Sequence, residues 1–255
     1  MPENLKERFF WNLYSFCYDS ISRLTPYVEM QSEIARRSAC PPGSSLLEAG
    51  CGTGNFVKMI SRENRRPAIT AVDASTAMLA RAREKCHGDE IRWLQADLNR
   101  RLPFEDGSFD RITCTNVLYA LEKPADALME LRRVLKPGGI LVLTTPQSMG
   151  NTDPILKAHL RGIRGIAGWL RFAVGLAAPL AIATAFNKII KRKSRAGTYH
   201  FFSREALAAL FSELTFADVT IEPTYAEQSW LATAAKPADS RTSNPEKTKE
   251  QAAAL

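Results

Sequence analysis

A strand that runs straight into a turn with glycine at every second position, and then into a helix, leaves a chain few folds to choose from. Residues 46–56, Leu46-Leu47-Glu48-Ala49-Gly50-Cys51-Gly52-Thr53-Gly54-Asn55-Phe56, have that form. Leu46 and Leu47 read as a buried strand, and a helical pattern follows from Phe56 through Ile60. Glycine lacks the Cβ that would hold a ligand away, so such a turn is expected to bring backbone N–H groups close to one. Asp73 lies nineteen residues beyond Gly54, at the end of a second apolar run from Ala68 to Val72. An acid at about that offset binds ribose hydroxyls in nucleotide-binding βαβ units.

The rest of the chain is consistent with one α/β domain. At 255 residues it is long enough for a sizeable core, and its 45% hydrophobic and 24% charged residues are ordinary for a globular protein. The N-terminal segment has mixed charge and no apolar core, so no secretory signal is expected. Cys17, Cys40, Cys51, Cys86 and Cys114 are scattered, odd in number and without C-x-x-C pairs. This predicts a reducing, cytoplasmic compartment, no disulfide framework and, with only three histidines, no metal site. The net charge of +7 is concentrated in one place. Between Asp153 and Glu205 there is no acid, and ten bases from Lys157 to Arg204. The remainder holds 24 bases against 27 acids.

Strand-like and helix-like segments alternate with short connections. Strands are expected near 45–50, 68–73, 90–96, 109–115 and 139–146, and helices near 54–64, 75–86 and 124–135. Ser75 reads as a helix N-cap, and Lys136-Pro137-Gly138-Gly139 as the stop of the third helix and the opening of the fifth strand. A late helix from Ser203 to Leu214 precedes two strands near 217–224 and 227–234, close enough to pair antiparallel. The alternation predicts a parallel sheet with helices on both faces. The organisation read is a helical N-terminal arm (1–43), a core (44–150), a basic apolar helical insertion (151–198), the C-terminal part of the core (199–235) and a tail (236–255) expected to be disordered. The arm reads as helical from Leu5 to Arg37 and carries Tyr14 and Tyr18 among its aromatics.

The spacing G-x-G-x-G, with Glu48 two residues ahead, departs from the dinucleotide fingerprint G-x-G-x-x-G and favours S-adenosylmethionine over NAD. Three further blocks follow the glycine turn in order. They are Ala71-Val72-Asp73-Ala74-Ser75 with Met78-Leu79; Gln95-Ala96-Asp97-Leu98 followed by Leu102-Pro103-Phe104-Glu105-Asp106-Gly107-Ser108-Phe109-Asp110; and Leu131-Arg132-Arg133-Val134-Leu135-Lys136-Pro137-Gly138-Gly139. With these four blocks the chain resembles the class I S-adenosylmethionine-dependent methyltransferases, and within them the group containing the ubiquinone/menaquinone methyltransferases. The resemblance is strong over about 44–146 and looser over 199–234. It implies a Rossmann-like seven-stranded sheet, mostly parallel with an antiparallel last strand, plus the arm and a helical lid insertion. It also implies that Glu48 and the turn (Gly50, Cys51, Gly52, Gly54) cradle the methionine portion and that Asp73 takes the ribose hydroxyls. Asp97 would take the adenine amine, with the Leu98 N–H on a ring nitrogen, and Ala74 and Met78 would line the adenine slot. Thr115 and Asn116 would face the reactive end. From the residues themselves, the aromatic arm either closes over the cofactor, with Tyr14 or Tyr18 as the lid contact, or only packs its rings. The product would be S-adenosylhomocysteine.

Methyl transfer from a sulfonium is a displacement on an already activated methyl, so the protein must chiefly align donor and acceptor and exclude water. The resemblance marks no obligatory base. Tyr119 stands where many relatives carry histidine, and Tyr119, Tyr199 and His200 are the candidates from the residues themselves. The apolar stretch from Phe172 to Phe186 is fifteen residues, short of the roughly 20 that span a bilayer. With its basic flanks it suits either peripheral contact with an anionic membrane or a soluble substrate cap, and nucleic acid is the least favoured partner. The expected function is methyl transfer to an apolar or amphipathic small-molecule or lipid acceptor of lipid, quinone or polyketide type. The rivals are a methyltransferase of a soluble metabolite and a non-catalytic S-adenosylmethionine-binding regulator.

Overall fold

The computed structural model describes residues 19, 22–39, 41–62, 67–87, 90–148, 152–163, 165 and 199–238. In chain order the described elements are α1 (Thr25–Arg37), β1 (Ser45–Ala49), α2 (Asn55–Ile60), β2 (Ala68–Asp73), α3 (Thr76–Lys85), β3 (Ile91–Gln95) and β4 (Phe109–Thr115). They continue with α4 (Pro124–Val134), β5 (Leu135–Pro146), α5 (Thr152–Arg161), α6 (Arg204–Glu213), β6 (Ala217–Thr224) and β7 (Ser229–Ala235). The seven strands form one sheet in the order β3-β2-β1-β4-β5-β7-β6. Every neighbouring pair from β3 to β5 is parallel, and β7 alone runs against both of its neighbours. The expected mostly parallel sheet with a reversed last strand is the one observed.

The order reverses between β1 and β4. Crossovers leaving β1 go one way, to β2 and β3, and those leaving β4 go the other, to β5. The carboxyl ends of β1 and β4 therefore border a crevice, where open α/β sheets bind ligands. Period-two alternation sends Leu46, Ile69, Ala71 and Val142 to one face, where they meet Met30 and Ile34 of α1, Phe56, Val57 and Ile60 of α2, and Leu79 of α3. Leu47, Val72, Ile112 and Leu143 go to the other, against Leu128 and Leu131 of α4 and Leu207 and Phe211 of α6. Fully burying each of the Val, Leu, Ile, Met and Phe side chains contributes about 1.5–3 kcal/mol.

Helix starts follow local chemistry. Ser75 accepts from the Met78 N–H at 3.3 Å, and Ser203 accepts from the Ala206 N–H at 3.1 Å, as N-caps do. Pro124 opens α4, where its missing N–H costs nothing.

Three boundaries depart from the sequence reading. The arm is not one helix to Arg37. Ser22–Leu24 turn before α1, and Pro26 in the first turn of α1 suits a helix start but not its interior. The helix after the glycine turn ends at Ile60 rather than 64, with the Ser61 hydroxyl bonded to the Lys58 carbonyl at 3.2 Å. The fifth strand begins at Leu135, before the Pro-Gly-Gly, because Leu135 pairs with Phe109 and the ladder resumes at Ile140 opposite Arg111. The intervening residues bulge, with Gly138 at φ +76°. Among the described residues no helix is long and apolar enough to cross a membrane. The expectations for Tyr14, for Tyr18 and for the apolar run 172–186 lie outside the described residues, as does most of the tail.

Candidate active site

The turn after β1 owes its shape to its glycines, Gly50, Gly52 and Gly54, all with positive φ. Gly50 has φ +78°, and a Cβ there would sit 2.4 Å from Val117 Cγ2, so the loop after β4 packs directly on its backbone. Gly52 has φ +53°, and a Cβ there would meet no atom within 4 Å. Its missing side chain opens space for a ligand rather than making room for the protein. The N–H groups are used differently from the expectation. Gly50 and Cys51 both donate to the Val72 carbonyl (2.9 and 2.8 Å), Gly54 donates to the Cys51 carbonyl (2.9 Å), and Gly52 donates to Asp73 Oδ2 (2.8 Å). The turn thus spends most of its amides on bracing itself, because it folds back over the end of β2, and its gift to a ligand is clearance. The Cys51 side chain is buried, which pushes its thiol pKa up.

Asp73 closes β2 beside this turn. Its Oδ2 accepts from Gly52 N–H and its Oδ1 from Ser75 N–H, each at 2.8 Å. A carboxylate offers about four lone-pair sites, so each oxygen keeps one for a hydroxyl donor. Burial raises its pKa above the ordinary carboxylate value, opposed by the two amides.

Glu48 lies opposite Thr113 across the β1–β4 pairing. It is 2% exposed, and its Oε2 accepts from the Thr113 hydroxyl. Burial pushes its carboxyl pKa up to about 8, and the Thr113 bond only partly opposes this. Alternation along β4 puts Thr115 on the same side as Thr113. Among the described residues the Thr115 hydroxyl and the Asn116 side-chain oxygen, both buried, have no hydrogen-bonding partner, and Asn116 holds the left-handed conformation at φ +53°. A polar group in the crevice would give both oxygens a partner. Clearance at Gly52, spare acceptor capacity on Asp73 and two orphaned oxygens at the end of β4 together fit a polar, nucleoside-bearing group lying across the crevice.

Asp97, after β3, accepts from the Asn99 backbone and side-chain nitrogens at 2.9 and 3.0 Å, with Arg100 Nε 3.6 Å away. Its local turn orients it while its side chain stays 39% exposed. Leu98 and Met78 are buried, and Ala74 is exposed.

The three candidate bases gather at one place. Tyr119 lies in a 3₁₀ turn (Leu118–Ala120) just past Asn116. Its ring is 5.5 Å from that of Tyr199 and stacks on Phe201 at 6.1 Å. The His200 backbone N–H donates to the Tyr119 carbonyl at 2.8 Å. Burial pushes the Tyr119 phenol well above its ordinary pKa, further raised by Tyr199. A phenol so held does not serve as a base at neutral pH.

Sequence reasoning did not find Asp19, Thr53, Asn55 and Lys85, whose side chains form one polar cluster against the glycine turn. No spacing rule signals it, since the contacts span 30 to 66 residues.

A doubly wound sheet with an acid at the end of β2 and a cleared glycine turn after β1 is the architecture of nucleotide-cofactor α/β proteins. The methyltransferase domain family matches residues 47–143. The chain is 30% identical over 188 residues to the ubiquinone/menaquinone biosynthesis C-methyltransferase UbiE of Desulfotalea psychrophila, covering 73% of this chain and 71% of that protein. It is likewise 30% identical over 185 residues to the demethylmenaquinone methyltransferase of Lactiplantibacillus plantarum, covering 68% and 70%. The structure of an S-adenosylmethionine-dependent methyltransferase from Aquifex aeolicus superposes with a TM-score of 0.56 at 16% identity, over 84% of this chain and 93% of that one, which shows the shared fold. The chain belongs to the S-adenosylmethionine-dependent methyltransferases, in the family of the ubiquinone/menaquinone methyltransferases.

Proposed function

We propose that the protein methylates an apolar or amphipathic acceptor of quinone, lipid or polyketide type. The observation that carries this reading is the aromatic cluster of Tyr119, Tyr199 and Phe201 that follows Asn116, the residue at the crevice. Packed rings favour an apolar or aromatic partner, and the Tyr119 phenol, held protonated, favours an acceptor that brings its own nucleophilic electron pair, such as an enolised ring carbon. The two relatives reported above are named for quinone methylation, which agrees with this acceptor class.

In this proposal Asp73 holds the ribose and Glu48 lies near the methionine portion. Gly50, Cys51, Gly52 and Gly54 shape the floor. Asp97, Leu98, Ala74 and Met78 bound the adenine. S-adenosylmethionine supplies an activated methyl when bound. Thr115 and Asn116 orient the groups that meet at the crevice, and the rings exclude water from it. The His200 backbone N–H and the Tyr199 ring position Tyr119. The acid-free segment between Asp153 and Glu205 would meet the acceptor's apolar surroundings, an anionic membrane among them.

The test is formation of S-adenosylhomocysteine over a panel of quinols, phenolic polyketides, phospholipids and water-soluble amines and carboxylates. Turnover confined to the apolar members agrees with the proposal. Turnover confined to the water-soluble members, or none with any acceptor, contradicts it. Flotation with phosphatidylglycerol liposomes tests the membrane contact, and a protein that stays at the bottom of the gradient contradicts that part alone.

A further inference from the structure

Four side chains from three places in the chain close a ring against the glycine turn. Asp19 Oδ1 accepts from Thr53 Oγ1 at 2.5 Å, from Lys85 Nζ at 2.6 Å and from Asn55 Nδ2 at 3.3 Å. Lys85 Nζ also donates to Asn55 Oδ1 at 2.6 Å and to Thr53 Oγ1 at 3.0 Å, so all three ammonium protons have acceptors. Asp19 precedes α1, Thr53 and Asn55 belong to the turn and the start of α2, and Lys85 closes α3.

This is not a solvated surface pair. Thr53 is fully buried, and the Lys85 and Asp19 side chains are 18% and 35% exposed. Charge-assisted bonds in such a setting hold geometry far better than exposed ion pairs do. What they hold is the part of the chain least able to hold itself. Thr53 sits between Gly52 and Gly54, both with positive φ, and glycine-rich backbone loses the most conformational freedom when ordered. Asp73 braces this turn from one side through Gly52 N–H. The ring of Asp19, Lys85, Thr53 and Asn55 braces it from the other.

We propose that Asp19 is a positioning residue for the methyl donor. Delivered from outside the 47–143 methyltransferase domain, it works with Lys85 to keep the glycine turn in its cofactor-binding shape. The inference rests on the cofactor assignment. It adds that donor affinity depends on a residue that precedes the domain. Coupling of this kind is reciprocal, so occupancy of the cofactor site tightens the hold on Asp19 and on the Ser22–Leu24 turn. That turn is tied to Asp19 through the Ser22 hydroxyl, which donates to the Asp19 carbonyl at 2.8 Å.

The experiment is calorimetric titration of the full chain with S-adenosylhomocysteine, for wild type, Asp19→Asn, Lys85→Met and Arg36→Ala. Arg36 makes an exposed ion pair with Glu33 on the outer side of α1, and serves as the control. The expected result is Kd about tenfold weaker in Asp19→Asn and Lys85→Met, unchanged in Arg36→Ala, with Asp19→Glu recovering part of the loss. In wild type the ligand also slows amide hydrogen exchange over Ser22–Leu24, and in Asp19→Asn it does not. If Lys85→Met fails to fold, Thr53→Val removes the hydroxyl at nearly constant shape and takes its place. Affinities within twofold of wild type in the ring variants overturn the inference while leaving the cofactor assignment standing. Absence of binding by wild type overturns both.

Discussion

Glu48 is a carboxylic acid held where water cannot reach it, with one threonine hydroxyl for company. Its pKa, pushed up to about 8 by burial, sets a sign for the pH dependence of stability. The folded state binds the proton more tightly than the unfolded chain, whose glutamate titrates near 4.5. The stability from the protonated carboxyl is therefore complete below about pH 4.5 and is lost as pH rises through about 8, by at most about 1.4 kcal/mol per pH unit. Glu33 and Asp110, each lowered to about 2 with Arg36 and Lys136 respectively as hydrogen-bond partners, act in the opposite sense only in acid, outside this window. Between pH 5.5 and 8, urea unfolding of the ligand-free protein should lose more stability with rising pH than that of Glu48→Gln, since Asp73, raised by burial, and His159, lowered by burial, are common to both proteins. Equal slopes in the two proteins would contradict this account. Gly50 gives a second prediction. Gly50→Ala places a Cβ 2.4 Å from Val117 at a φ that L-residues avoid, and should cost about 2–4 kcal/mol. Adding Val117→Ala should restore the steric part but not the conformational part, as read from thermal midpoints.

At the scale of elements, the strands were legible wherever a short apolar run ended at Gly, Pro or Asp, as Ala68–Asp73 does. Helix starts were legible from Ser75 and Ser203, whose caps act within four residues. Replacing Ser75 by alanine should cost about 1 kcal/mol in urea unfolding, and no loss would contradict its capping role. Tertiary pairing overrode local signals at the start of β5. Pro137, Gly138 and Gly139 read as a break, yet Leu135 is already paired with Phe109, because the strand can bulge through them. The arm departs for the reverse reason: it read as helical from Leu5 to Arg37, whereas Ser22–Leu24 turn and Pro26 stands in the first turn of α1. The core helices carry the ordinary cost of truncation. Leu128→Ala, at a fully buried position of α4, should lower stability by about 2–5 kcal/mol, and a loss below about 1 kcal/mol would mean that α4 does not pack as described.

At the scale of the molecule, the sheet order places the ends of β1, β2, β3 and β4 side by side, and so gathers Glu48, Asp73, Asp97 and Asn116 from four separate stretches. Those residues were legible because each stands at a strand end beside a recognisable block. The ring around Asp19 was not, since topology alone brings residues 19, 53 and 85 together. The shape of the glycine turn was only half legible: its clearance is present, but its N–H groups are turned inward to Val72, Cys51 and Asp73. In the proposed binding mode Asp73 serves twice, as the ribose acceptor and, through its bond from Gly52 N–H, as a brace of the turn. The most direct measurement is calorimetric titration of wild type and Asp73→Ala with S-adenosylhomocysteine. The account predicts binding by wild type and a loss of at least about tenfold in Asp73→Ala, the equivalent of one charge-assisted hydrogen bond. Equal affinity in the two proteins would contradict it.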